Sequence, residues 1–86
     1  MSELLQEYTA VVTGPDGSTY TVRSYGEERG DGTWIGWIEF EPIDPEEPTL
    51  TTDQETSQPN RTAVEYWATG LEAVYLEGAF ERAHVK

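Results

Sequence analysis

Pro42-Ile43-Asp44-Pro45-Glu46-Glu47-Pro48 constrains this chain more than any other feature, since three prolines in seven residues can neither donate to a β-ladder nor continue a helix. The segment separates two stretches with different hydrophobic periods. Before it, the pattern is that of strands. Tyr8-Thr9-Ala10-Val11-Val12-Thr13 is rich in β-branched and aromatic residues, and Gly14-Pro15-Asp16-Gly17 supplies turn chemistry. Ser18 to Tyr25 then returns as the second arm of a hairpin. Gly26 to Gly32 is a second polar, glycine-rich turn. Trp34-Ile35-Gly36-Trp37 opens a third strand that is apolar enough to be covered on both sides. From Ile38 it alternates, with Ile38 and Phe40 on one face and Glu39 and Glu41 on the other. After the prolines, Thr49-Leu50-Thr51-Thr52 reads as a short fourth strand at a sheet edge.

Beyond residue 56 the period becomes helical. Ser57 offers an N-cap with Pro59 in the first turn, and Thr62 and Glu65 offer a capping box a few residues later. Val64, Trp67, Ala68, Leu71, Val74, Tyr75 and Gly78 recur on one stripe, which crosses Gly70 without a jump in phase. The pattern predicts one helix over about residues 60–84, with Trp67 as a core anchor, rather than two helices broken at Gly70. The expected fold is α+β: a small antiparallel sheet of three to four strands followed by one long C-terminal helix packed on one face. Residues 1–86 form one domain in this reading, with a tail at 1–7, the sheet at 8–52 and the helical segment at 57–84. At 100° per residue, Ala73, Leu76, Phe80 and Ala83 gather nearly opposite Leu71, Val74, Tyr75, Gly78 and Ala79. A single sheet covers only one face, so Leu76, Phe80, Ala73 and Ala83 are the candidate interaction surface, with a homodimer the expected assembly. Within a monomer, Leu4 and Leu5 are the residues available to fold over it.

Composition narrows the function. With no cysteine in 86 residues the fold must stand on its core alone, and ten aromatics supply material for one. Seventeen acidic against five basic side chains give a net charge of −12, a balance that suits either adaptation to high salt or a basic partner. That balance argues against conventional nucleic-acid binding and disfavours adhesion to an anionic membrane, both of which draw on Lys and Arg. No stretch reaches the about 18–20 apolar residues of a membrane span, and Met1 to Glu7 lacks the basic start and apolar core of a signal peptide, so a soluble cytoplasmic protein is expected.

No residue pattern points to catalysis, a cofactor or a metal. His84 is the only histidine, the serines occupy turn, cap or strand positions, and there is no Cys or His cluster. Gly26, Gly30 and Gly32 match no phosphate-binding pattern and stand among Glu27, Glu28 and Asp31. Arg29-Gly30-Asp31 and Asn60-Arg61-Thr62 match an integrin tripeptide and a glycosylation acceptor, and turn and helix-start chemistry accounts for both.

The acids are unevenly spread, with net charge −9 over residues 1–47 and −3 over residues 48–86. Glu39, Glu41, Asp44, Glu46 and Glu47 form a candidate acidic edge, five acids within nine residues. Such a row suits a basic partner, the mimicry of DNA, or the blocking of sheet-to-sheet aggregation. The hairpin, the aromatic third strand, Thr51 to Thr56 and the long helix resemble the element order of HicB-like antitoxin domains over residues 8–80, without that family's glycine-cysteine segment and without a DNA-binding module. The expected function is a small acidic, non-catalytic protein-binding module, an adaptor or neutralising partner of a basic protein. The alternative is a DNA-mimic inhibitor of a nucleic-acid-binding enzyme.

Overall fold

Three long strands carry the fold, and every other element packs on or beside them. The computed structural model describes residues 1–86. It contains β1 (Glu3–Thr13), β2 (Thr19–Glu28), β3 (Trp34–Pro42), β4 (Leu50–Thr51), β5 (Thr56–Gln58), α1 (Arg61–Thr69), α2 (Ala73–Arg82) and β6 (His84–Val85). The sheet is antiparallel in the order β1-β2-β3-β4-β6, and β5 pairs with the first residues of β3 beside β4. The α+β class holds, but six strands and two short helices replace three to four strands and one long helix. No helix is long and apolar enough to cross a membrane.

The segment expected as a tail is the first half of β1, with Glu3 opposite Gly26 and Leu4 opposite Tyr25. Register shifts between Leu4 and Gln6 and between Tyr8 and Val11 hide it, because each inserted residue breaks the period-2 pattern that marks a strand. The segment does not fold over the helix: Leu4 is exposed on the sheet's far side, and Leu5 lies against Gly26 on the helix side.

Residues 57–84 are not one helix. Ser57 is in β5, and Asn60 is the true cap of α1, its Oδ1 accepting from the Ala63 N–H at 2.9 Å. Gly70 ends α1 at φ −91°, with its N–H returning to the Trp67 carbonyl. Leu71 and Glu72 then change the chain's direction, Glu72 being extended at φ −102° and ψ 167°. The break resets the phase of the apolar stripe. Val64 and Ala68 of α1 and Leu76 and Ala79 of α2 all become buried against the same sheet face, while Val74 turns outward at 75% exposure. A straight helix would point Leu76 and Phe80 away from the stripe of Val64 and Ala68; two short ones bring all four to the sheet and leave Ala73 and Val74 outside.

On the covered face, Val12, Tyr20, Val22, Ile38, Phe40, Leu76 and Ala79 form the core. Each large aliphatic or aromatic side chain removed from water there contributes about 1.5–3 kcal/mol. Phe80 stands edge-on to Phe40 and tilted against Tyr20, with centroids 5.2 and 5.1 Å apart. Trp67 lies over Gly36 so closely that a Cβ at that position would come within 2.7 Å of its ring. Buried polar groups are satisfied: the Tyr8 hydroxyl meets the Ala68 carbonyl at 2.6 Å and Ser24 Oγ at 3.1 Å, joining β1, β2 and α1.

Candidate functional site

The sheet's other face has no helix on it. Alternation along β2 and β3 puts Tyr20, Val22 and Ser24 with Ile38 and Phe40 under the helices, and therefore Arg23, Tyr25, Glu27, Ile35, Trp37, Glu39 and Glu41 on the open side. Register arranges these in cross-strand rows. Leu4, Tyr25 and Trp37 form one, and Glu27, Ile35 and Ser57 the next; Glu7, Arg23, Glu39 and Thr51 form a charged row on the opposite side of the aromatic one. The Tyr25 and Trp37 rings stack with centroids 6.3 Å apart and 19° between planes. Leu4 is 49% exposed, whereas Tyr25, Ile35 and Trp37 are half-buried by one another. The result is an apolar patch on a rigid sheet, bordered by Glu7, Glu27 and Glu39.

Two of the candidate edge acids are engaged on this face. Glu39 accepts from Trp37 Nε1 at 3.0 Å and from Lys86 Nζ at 3.0 Å, and its side chain is only 13% exposed. Glu41 pairs with Arg23 at 3.0 Å, and Arg23 also reaches Glu7 at 3.3 Å. Asp44, Glu46 and Glu47 are in the loop after β3, where Asp44 Oδ1 accepts from the Glu46 N–H. The five acids therefore form no continuous row, and the two on the strand already have cations.

The predicted helical surface is placed differently. Leu76 is 1% exposed and Phe80 packs into the core, so neither faces outward; Ala83 is half-buried and Ala73 alone of the four is exposed. The cause is the phase reset at residues 70–72, which no pattern within α2 reveals. The sequence hides the open-face patch because the bulges of β1 mask Leu4 as a strand residue. Its signal was present in Trp34 to Trp37, the stretch too apolar for a strand with one wet face.

Two side-chain clusters remain. Glu55 is tucked behind α2, where it accepts from the Tyr75 hydroxyl at 2.6 Å and pairs with Arg82. Burial would raise its carboxyl, but hydrogen bonds from Arg82 and Tyr75 outweigh burial and hold it below the usual range. Burial and the hydrogen bond to Glu55 push the Tyr75 hydroxyl up to about 12. This is a tie between the β4–β5 connection and α2, with every group committed and no space for a substrate. His84 Nε2 lies 2.9 Å from Asp53 Oδ1, which raises the imidazole above its ordinary value. Both residues are exposed, and the ring's partners are the Asp53 carboxylate and the Val85 carbonyl. No group of three or more His, Cys, Asp or Glu side chains is placed to hold a metal ion.

No family model matches the chain, and neither a curated protein nor a solved structure is found similar to it. The element order expected to resemble HicB-like antitoxin domains included one long helix, and the chain has two short ones instead.

Proposed function

We propose that this chain is a non-catalytic protein-binding module, and that its open sheet face receives an apolar, positively charged protein surface. The observation that carries the reading is the row of exposed Leu4 with part-exposed Tyr25 and Trp37, and Ile35 beside it, on the sheet face that carries no helix. Aromatic side chains on a rigid support give large contact area at low entropic cost, and contiguous exposed apolar patches mark interaction sites. The acids bordering the patch are already paired, Glu7 with Arg23, Glu27 with the N-terminus and Glu39 with Lys86, so it is the net charge of −12 that favours a basic partner and speeds its approach. The same charge opposes a second copy on this face.

The test is capture from the native host with the parent and with a Tyr25→Ser, Trp37→Ser double variant, followed by calorimetry on the purified partner. The expected result is a basic protein held by the parent and lost by the double variant, with affinity falling as salt rises. A partner retained by the folded double variant overturns the assignment to this face. A parent that self-associates more strongly with added salt, and captures nothing, replaces the basic partner with a homodimer. Displacement of the partner by duplex DNA supports mimicry of nucleic acid instead.

A further inference from the structure

The two edges of the sheet are finished differently. At the far edge, β6 covers β4, with Lys86 N–H bonded to the Thr49 carbonyl and the Lys86 and His84 side chains tied to Glu39 and Asp53. The near edge is β1, which pairs only with β2. From Tyr8 to Thr13 this edge carries no charge and no proline; its one protective irregularity is the bulge between Tyr8 and Val11, which leaves Val11 to Thr13 as the regular, open stretch. Val11 is 55% exposed there.

The hydrogen-bond alternation says which backbone groups are free. Gly14 N–H bonds to the Ser18 carbonyl, and Thr19 gives its carbonyl to Ile43 on the side away from β1. With Thr13 opposite Thr19 and Val11 opposite Thr21, antiparallel alternation turns the N–H and C=O groups of Val11 and Thr13 outward. Beside them an open groove of about 730 Å³ runs between this edge and α2, floored by Val12 and Phe80 and walled by Glu77 and Glu81. No basic residue lines it. Glu77 and Glu81 are one helical turn apart, about 6 Å, and alternate residues of a strand are about 6.6–6.8 Å apart.

We propose that β1 accepts an extended segment of a partner protein as an added strand, with Lys or Arg at alternate positions facing Glu77 and Glu81. Backbone hydrogen bonds to Val11 and Thr13 fix the register, and the alternating cations supply the choice of sequence. The stems of those cations lie across Phe80. Residues between them point to the open side beside Val11 and Thr13, where small β-branched side chains fit. A second copy of this chain is a poor occupant, because it brings the same acids and another −12 of charge to the groove. This surface is separate from the aromatic patch, and neither proposal depends on the other.

The probe is a capped eight-residue peptide of alternating lysine and valine, titrated into the intact chain and followed by amide chemical shifts. Shifts are expected at Val11, Thr13 and the Glu77–Glu81 turn. The same peptide N-methylated at alternate residues keeps its charge but loses the N–H groups of one edge, so it should bind at least tenfold more weakly than the parent peptide. Glu77→Gln with Glu81→Gln should weaken the unmodified peptide by about three- to tenfold, the worth of two exposed charge pairs. Equal affinity of the methylated peptide overturns strand addition in favour of plain charge attraction. Shifts confined to Tyr25, Trp37 and their neighbours, or no binding at millimolar peptide, likewise overturn the proposal.

Discussion

The two faces of the β2–β3 ribbon are made by the same strands, yet they are held by different physics. Under the helices, Ile38 and Phe40 are fully buried and Val22 nearly so, and the contacts are apolar packing with a few internally satisfied hydroxyls. On the open face the same alternation yields an aromatic row and, next to it, a row of exposed ion pairs. Packing of the first kind is worth several kilocalories per side chain, whereas exposed charge pairs are worth at most about 1 kcal/mol each. Stability should therefore reside on one face and recognition on the other, and the comparison can be broken by mutation.

The largest effect is expected at Leu76. Truncating a buried leucine costs about 2–5 kcal/mol, and a carboxylate in its place adds the desolvation of a charge. Leu76→Asp should leave no folded protein by near-ultraviolet circular dichroism; a folded monomer would mean that α2 presents a different face to the sheet. Trp67→Ala should cost about 3 kcal/mol in urea unfolding, at the lower end for tryptophan because the ring is only half-buried. Gly36→Ala should cost about 1–3 kcal/mol by crowding that ring, and the cost should shrink in the Trp67→Ala background if the 2.7 Å approach is its cause. On the open face, Tyr25→Ser and Trp37→Ser together should change stability by only about 1–2 kcal/mol, a value near that of cross-strand pairs. A loss as large as that from Leu76 would make the patch a second core.

The smallest expected effect concerns the C-terminal strand. His84 has a raised pKa in the folded chain, so protonation and folding favour one another. Its contribution is full below the unfolded value near 6.5 and disappears as pH rises through the folded value. The melting temperature of the parent should therefore fall relative to that of His84→Asn across this range. Parallel curves would show that the Asp53 contact contributes nothing.

How much of this was legible depended on distance along the chain. The hairpin of Tyr8 to Tyr25, the third strand at Trp34, the short strand around Leu50 and the alternation of Ile38 and Phe40 with Glu39 and Glu41 were readable, since each is written in consecutive residues. The first half of β1 was not, because bulges near Gln6 and Thr9 disrupt the pattern. Neither were β5 and β6, because Ser57 and Pro59 carry the signals of a helix start and residue 84 falls in the run of helical period, which local pattern alone assigns to the helix. Of the candidate surfaces, the acidic row was visible as a sequence cluster, but its cations were not. Arg23 and Lys86 are 18 and 47 residues from the carboxylates they meet.

By itself the sequence determined an α+β chain with its strands first, a proline break in the middle, a strongly acidic surface and enough aromatics for a core. The tertiary structure decided how those parts face one another. An unbroken helix through Gly70 agrees with every local preference, and 100° per residue then assigns Leu76 and Phe80 to the outside. The chain instead extends at Leu71 and Glu72, because two short helices turned independently bury Leu76 on the same sheet face as Val64, Ala68 and Ala79, whereas a straight helix points Leu76 and Phe80 away from the stripe that carries the other three. Local periodicity reports which residues share a side of an element; the area available for burial, a property of the whole chain, determines which way that side turns.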